Sequence, residues 1–249
     1  MASTAGCDFL PGVPIQHVLS RLNRAGGNEI GSGKLASPNS SAALAVNTFG
    51  WFIERSELLP AFSGFHADWP PISVEVEYCA RFPWRGGKHP WLDAMVETAT
   101  AIIGVESKRH EPYRDRKRVK LSSAYDRPVW GDEMHDERMR DQLRSGDTGF
   151  VQLDATQLVK HAFGLITESK RRRKRPILLY LYAEPSSTAM KAGELFRHHR
   201  EEIARFGTEV AGSAVAFAAC SYREWLATWT DSVPEVQDHG RAVATAFQP

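Results

Sequence analysis

The sequence predicts an α/β fold: a mixed β-sheet that begins as an antiparallel hairpin, passes through a helical crossover into parallel strands, and is flanked by helices. Three observations carry this expectation. Residues 72–82 alternate Val74, Val76 and Tyr78 against Glu75 and Glu77, the pattern of a half-buried strand. Trp91–Glu97 and Ala101–Lys108 are two more strand-like runs, close enough in sequence to form a hairpin. Pro176–Tyr182 is a continuous apolar run of strand length after a helical stretch, as in a strand covered on both faces.

The remaining elements follow in chain order. Residues 1–36 are rich in Gly, Ser and Asn and read as loop, with a short helix around Ile15–Leu22. Pro38, Asn39 and Ser40 are start signals for a helix in which Leu44, Asn47, Trp51 and Phe52 keep the period, with Gly50 as its end or bend. After the long polar stretch 109–149, in which Asp132–Arg144 reads as a helix stopped by Gly146, Val151–Glu168 carries Leu153, Leu158, Phe163 and Leu165 at helical spacing. Met190–Phe206 is an amphipathic helix expected to stop at Gly207, Ala214–Cys220 a last strand, and Tyr222, Trp225, Leu226 and Trp229 a closing helical stripe. One domain over 1–249 is expected, with its core over about 37–230 and 109–149 as a long insertion.

Composition narrows the class. The 249 residues are 42% hydrophobic and 24% charged, ordinary globular proportions, and the net charge of +1 excludes a global polyelectrolyte. Cys7, Cys79 and Cys220 form no Cys-x-x-Cys pair, which argues for a reducing compartment and against a disulfide framework or a thiolate zinc site. With no basic-then-apolar leader and no run near the ~20 apolar residues that span a bilayer, a soluble, cytoplasmic protein without membrane contact is expected. Gly27–Lys34 fails as a phosphate-binding P-loop, because Asn28 replaces the first Gly and Leu35 the Ser/Thr; it remains a glycine-rich loop able to approach a ligand.

The hairpin carries the chemistry. Side chains alternate along a strand, so Ile103 and Val105 face one way while Glu106 and Lys108 face the other together. A turn centred between Ala99 and Thr100 sets Asp93 opposite Glu106, Met95 opposite Gly104 and Glu97 opposite Ile102. Opposed carboxylates repel unless a cation lies between them, and oxygen ligands favour Mg²⁺ or Mn²⁺ over zinc. Lys108 can then hold a water or neutralise charge on a phosphate, and Gly104 is expected to leave open space beside the site. The competing reading is a same-face ion pair of Glu106 and Lys108 on an exposed sheet.

Here the sequence resembles the PD-(D/E)XK nuclease superfamily, the restriction-endonuclease-like fold. The Val105-Glu106-Ser107-Lys108 run, followed by Glu111-Pro112-Tyr113, is similar to one bacterial nuclease-like group within it, as is the helix opening at Ser40, and the similarity extends from about Gly31 to Trp229. The resemblance implies Asp93, Glu106 and the backbone carbonyl of Ser107 as ligands of Mg²⁺ (or Mn²⁺), with Lys108 positioning the attacking water. It implies a metal-dependent nuclease, endo- or exo-acting, that hydrolyses DNA, with RNA as a second substrate; the alternative is a catalytically silent relative that binds nucleic acid or a protein. Two departures stand out. Pro90 lies three residues before Asp93 instead of beside it, and the acid many members carry on the first helix is absent from 40–52, leaving Glu29, Glu54, Glu75 and Glu77 as replacements.

Gln157 and His161, one helical turn apart, resemble a pattern beside the metal in RecB-like nucleases, which makes Gln157 a further catalytic candidate; a solvated face shared with Lys160 is the competing reading. Lys170–Arg175 is an unbroken basic run, and Arg114, Arg116, Lys117, Arg118 and Lys120 form a second cluster. Lys160, Arg171, Arg172, Arg173, Lys174 and Arg114 are therefore candidate phosphate contacts, with a solvated loop as the alternative for each run. Oligomeric state is left open, a homodimer included.

Overall fold

The structure, a computed structural model, describes residues 8–63, 68–86, 88–114, 119–127, 135–146, 148–185 and 192–249. Its five strands lie in chain order in one sheet: β1 (Ser73–Cys79), β2 (Trp91–Glu97), β3 (Ala101–Lys108), β4 (Arg175–Tyr182) and β5 (Ala216–Ser221). β1, β2 and β3 pair antiparallel; β3, β4 and β5 pair parallel. This is the mixed sheet, flanked by helices, of a restriction-endonuclease-like fold.

Among the described residues the helices that cover it are α1 (Ile15–Arg24), α2 (Ser41–Gly50), α3 (His135–Ser145), α4 (Ala155–Arg172), α5 (Ala192–Glu209), α6 (Tyr222–Ala227) and α7 (Pro234–Phe247). Alternation along the strands feeds two apolar layers. On one face Ile103, Val105, Ile177 and Leu179 pack with Leu44 and Phe49 of α2, Trp225 of α6, Trp229 in the turn after it, and Val243 of α7. On the other, Ile102, Leu178 and Tyr180 pack with Leu158, Phe163 and Leu165 of α4, Met139 of α3 and Phe206 of α5.

Several boundaries differ from the sequence-based expectation. The short helix expected around Ile15–Leu22 is α1, but the described part of the N-terminal segment also joins the core, with Val18, Leu22 and Leu35 buried in the apolar layer on the α2 side. At the other end α7, which the sequence reading lacks, buries Val236, Val243 and Phe247, so the core reaches beyond 37–230 at both ends. α4 starts at Ala155 because Asp154 caps it, accepting a hydrogen bond from Gln157 N at 3.0 Å, and it continues to Arg172 before Arg173 takes a left-handed conformation. Thus part of the basic run expected as loop is the last turn of a helix. α5 runs past Gly207 to Glu209, since Phe206 is anchored in the core and glycine only weakens a packed helix. The proposed start of α3 at Asp132 and the cations Arg116, Lys117 and Arg118 lie outside the described residues, as does Cys7; Cys79 and Cys220 are free thiols.

Candidate functional site

The β2–β3 register is the one expected from the hairpin: Ala94 opposes Val105, Met95 opposes Gly104 and Glu97 opposes Ile102. The β1–β2 register, with Val76 opposite Ala94 and Tyr78 opposite Leu92, sets Glu77 against Asp93. Glu77, Asp93 and Glu106 therefore form one row across three strands. That row is where regular pairing lapses. Glu77 has a left-handed backbone (φ 48°), which a non-glycine residue adopts inside a strand only when its surroundings impose it. Ser107 N–H donates to Asp93 Oδ2 at 2.6 Å instead of to a neighbouring carbonyl. A strand residue presents its N–H and C=O to the same side, so the Ser107 carbonyl also lies on the Asp93 side, while Lys108 O turns to β4 and accepts from Ala183 N at 2.8 Å. The Ser107 hydroxyl points to the opposite face, bonded to Tyr222 Oη at 2.7 Å.

Glu106 is 1% exposed, and it is held from two sides: Lys108 Nζ pairs with its Oε1, and His161 Nδ1 lies 3.1 Å from its Oε2. Burial would raise the Glu106 carboxyl, but Lys108 and then His161 overcome this and lower it to about 2. For Lys108, burial opposes the charge, and Glu106, Asp93 and Glu111 together hold the ammonium above its usual range. Asp93 behaves oppositely: burial first and Glu106 second push its carboxyl well above the carboxylate range, against Lys108 and the Ser107 N–H. Glu77 is raised to about 7 by burial, then by Glu29 and Glu106.

These groups open on a cleft of about 560 Å³ whose walls include Glu29, Glu77, Asp93, Glu106, Lys108, Glu111, Arg114 and Gln157. The expected catalytic set thus converges, and Gln157 and Arg114 join it. Among the four acids left as replacements for the missing helix carboxylate, Glu77 and Glu29 face the cleft, whereas Glu75 is paired with Arg21 and Glu54 is exposed elsewhere. Gly26, Gly27 and Lys34 line it too, so the glycine-rich loop does approach the site. Two residues of the site were given no role of their own from sequence. His161 touches Glu106 directly, where its spacing to Gln157 was the available signal. Glu111 accepts from Ser41 Oγ and from Arg109 N at 3.0 Å, which fixes it beside Lys108; the Glu111-Pro112-Tyr113 run was its signal.

Two expectations fail. Gly104 leaves no open space: a Cβ there would lie 2.8 Å from Leu92 Cδ1 and 2.9 Å from Leu165 Cδ2, so the glycine lets α4 seat against the sheet. The basic run is remote from the cleft. It flanks the Ala101 end of β3, opposite Arg175, roughly 17 Å along the strand from Glu106 at ~3.4 Å per residue. Arg171 pairs with Glu168 at 2.7 Å, Arg172 with Glu97, and Lys174 with Glu97 at 2.7 Å. Arg172 and Lys174 fasten the end of α4 to the sheet through Glu97, Arg171 pairs within the helix, and Arg173 is exposed at the helix terminus. Lys160 lies nearer, in a second cavity beside the cleft.

The donor set suits one kind of metal. Among the described residues no three His, Cys, Asp or Glu side chains gather closely enough to enclose an ion. Mg²⁺ needs only one or two carboxylates, keeping water and phosphate oxygens for the rest of its shell. Asp93, lifted by burial first and Glu106 second, and Glu106 could supply the one or two oxygen ligands of such an open site once Asp93 gives up its proton, with the Ser107 carbonyl on the same side.

Fold and site together define a restriction-endonuclease-like α/β protein. The chain matches the family described as restriction endonuclease associating with ARP over residues 7–244, and it belongs to that family. Searches of curated proteins and of solved structures find no match. No helix among the described residues is long and apolar enough to cross a membrane.

Proposed function

We propose that the protein is a divalent-metal-dependent nuclease of the PD-(D/E)XK type that hydrolyses DNA phosphodiester bonds. The observation that carries the reading is the convergence of Asp93, Glu106 and Lys108 in one cleft, at the row where the β2–β3 pairing ends and the β1–β2 ladder is interrupted at Glu77. Asp93, Glu106 and the Ser107 carbonyl would hold Mg²⁺ or Mn²⁺, which supplies Lewis-acid polarisation of a phosphate and a more acidic bound water. Lys108, fixed by Glu106, presents a permanent positive charge to the attacking water and to the charge that grows on phosphorus-bound oxygens. His161 and Glu111 orient this pair from either side. Gln157 and Arg114 offer donors to substrate oxygens, and Glu77 is the carboxylate that takes the place of the absent helix acid.

One observation favours a second reading, a silent relative that binds nucleic acid or a partner such as the ARP of the family description: both Glu106 oxygens already have cationic or imidazole partners. The same assay decides. Linear, circular and single-stranded DNA are incubated with Mg²⁺ or Mn²⁺ and wild type, Lys108→Ala or Asp93→Ala. Metal-dependent cutting lost in both variants supports the nuclease. Salt-sensitive binding with no cutting supports the silent relative, and cutting that survives both substitutions refutes the site.

A further inference from the structure

Beside the catalytic cleft lies a second cavity of about 580 Å³, and Trp91 and Gln157 belong to the walls of both. His161, which holds Glu106 on one side, also lines it. Lys88, Lys120 and Lys160 converge there from three separate parts of the chain. Among the described residues none of the three forms an ion pair. The one carboxylate among the described residues of the wall, Asp154, is committed to capping α4. Lys160 is half-buried, and burial, with Lys120 and Lys88 adding repulsion against the attraction of Asp154, lowers its pKa. Elsewhere the protein neutralises such clusters, as Glu97 and Glu168 do for Arg172 and Lys174. Lys88 and Lys120 are exposed at the rim and Lys160 is half-buried below them, so the cavity is electropositive and open to an anion from solvent.

We propose that Lys88, Lys120 and Lys160 form a phosphate subsite for a backbone phosphate flanking the one presented to Asp93, Glu106 and Lys108, with the DNA strand crossing Gln157 between the two cavities. The inference rests on the nuclease reading and deepens it: substrate must extend past the scissile bond on the α4 side, and the expected basic run Lys170–Arg175 takes no part.

The test is equilibrium binding of a fluorescent DNA oligonucleotide in EDTA across a salt series, with cleavage in Mg²⁺ measured in parallel. Lys120→Gln/Lys160→Gln removes two charges from the cavity, and Arg171→Gln/Arg173→Gln removes two from the remote run; matching melting curves establish folding. The first pair is expected to flatten the log–log salt slope by about 0.7–0.9, one phosphate contact, and the second to leave it unchanged. One neutral methylphosphonate walked along the oligonucleotide should weaken wild-type binding at a flanking position and have no effect there in the cavity variant. An unchanged slope in the cavity variant, or an equal drop in the control, overturns the subsite even if wild type cleaves DNA. Wild type that binds as expected but never cleaves overturns the nuclease reading and leaves the subsite standing. Wild type that does not bind DNA overturns both.

Discussion

Replacing Lys108 with methionine should invert the pH response of the folded state, and the structure sets the size of the effect. Glu106 is 1% exposed and depends on Lys108 more than on His161 for its charge. Removing one partner of a buried ion pair typically costs about 3–5 kcal/mol, because the other charge stays buried without compensation. An independent route agrees. Holding Glu106 at about 2 instead of 4.5 corresponds to about 3 kcal/mol at neutral pH, at ~1.4 kcal/mol per pH unit. In wild type that stabilisation is complete above the unfolded-state value near 4.5 and is lost as pH falls toward 2. In Lys108→Met burial acts with less opposition, so the Glu106 carboxyl rises above its unfolded value. The folded variant then binds more protons than the unfolded chain, and it recovers stability as pH falls through the raised value. The difference between wild type and variant should therefore be largest near pH 7.5 and shrink toward pH 4.5. The assay is urea unfolding in EDTA at several pH values, with Glu106→Gln/Lys108→Met as the third arm. That double variant should regain at least 2 kcal/mol over the single one, since the buried charge is gone. A cost that is constant across pH, or a double variant no more stable than Lys108→Met, refutes the argument that this lysine exists partly to keep Glu106 ionised.

Two further predictions concern the scaffold. Gly104→Ala should destabilise the fold by roughly 1–3 kcal/mol through overpacking, read as a lower urea midpoint, because the new methyl meets Leu92 and both Leu165 methyls within 3.0 Å. That outweighs the ~0.4–1 kcal/mol that replacing a glycine gains through the unfolded chain, so an unchanged or higher midpoint contradicts the packing account. His239 is 4% exposed, stacks on Trp51, and burial lowers it to about 4. Its folded form binds fewer protons than the unfolded chain, so its contribution is complete above about pH 6.5 and falls by about 3 kcal/mol as pH drops to 4. His239→Leu should remove that part of the pH dependence, and a profile parallel to wild type would show that the ring does not titrate this way.

What was legible in the sequence was short-range. Alternation in 91–97 and 101–108 and the three residues between them define β2 and β3 to the residue, and with them the register that sets Asp93 against Glu106. Ser40, Asn39 and the Ala-rich run place α2, and the unbroken apolar stretch places β4. What was not legible depends on partners far along the chain. Nothing near Lys170–Arg175 says that Glu97, more than seventy residues upstream, neutralises two of its members. A basic run reads the same whether it awaits phosphate or clamps a helix, and only the position of the acids separates the two cases. Gly104 is the same problem in packing: whether a missing side chain means space or contact depends on Leu165 of α4.

Glu77 joins these two levels. In sequence it belongs to an alternating strand, where a glutamate between valine and tyrosine is an ordinary solvent-facing residue. In the sheet it stands at the end of a row with Asp93 and Glu106, buried, left-handed in backbone and, among the described residues, without an ion-pair partner. A regular ladder would carry these three positions through as hydrogen-bonded pairs, their side chains alternating into apolar layers that no carboxylate tolerates. The break in pairing and the carboxylates therefore require each other. The charges need the β2–β3 pairing to end so that they reach the cleft, and the unpaired backbone needs a charge, as Ser107 N–H needs Asp93, to replace its lost partner. Strain at Glu77 is the cost of keeping that row, and packing elsewhere in the sheet, in the fully buried stretch from Ala101 to Val105, is what bears it.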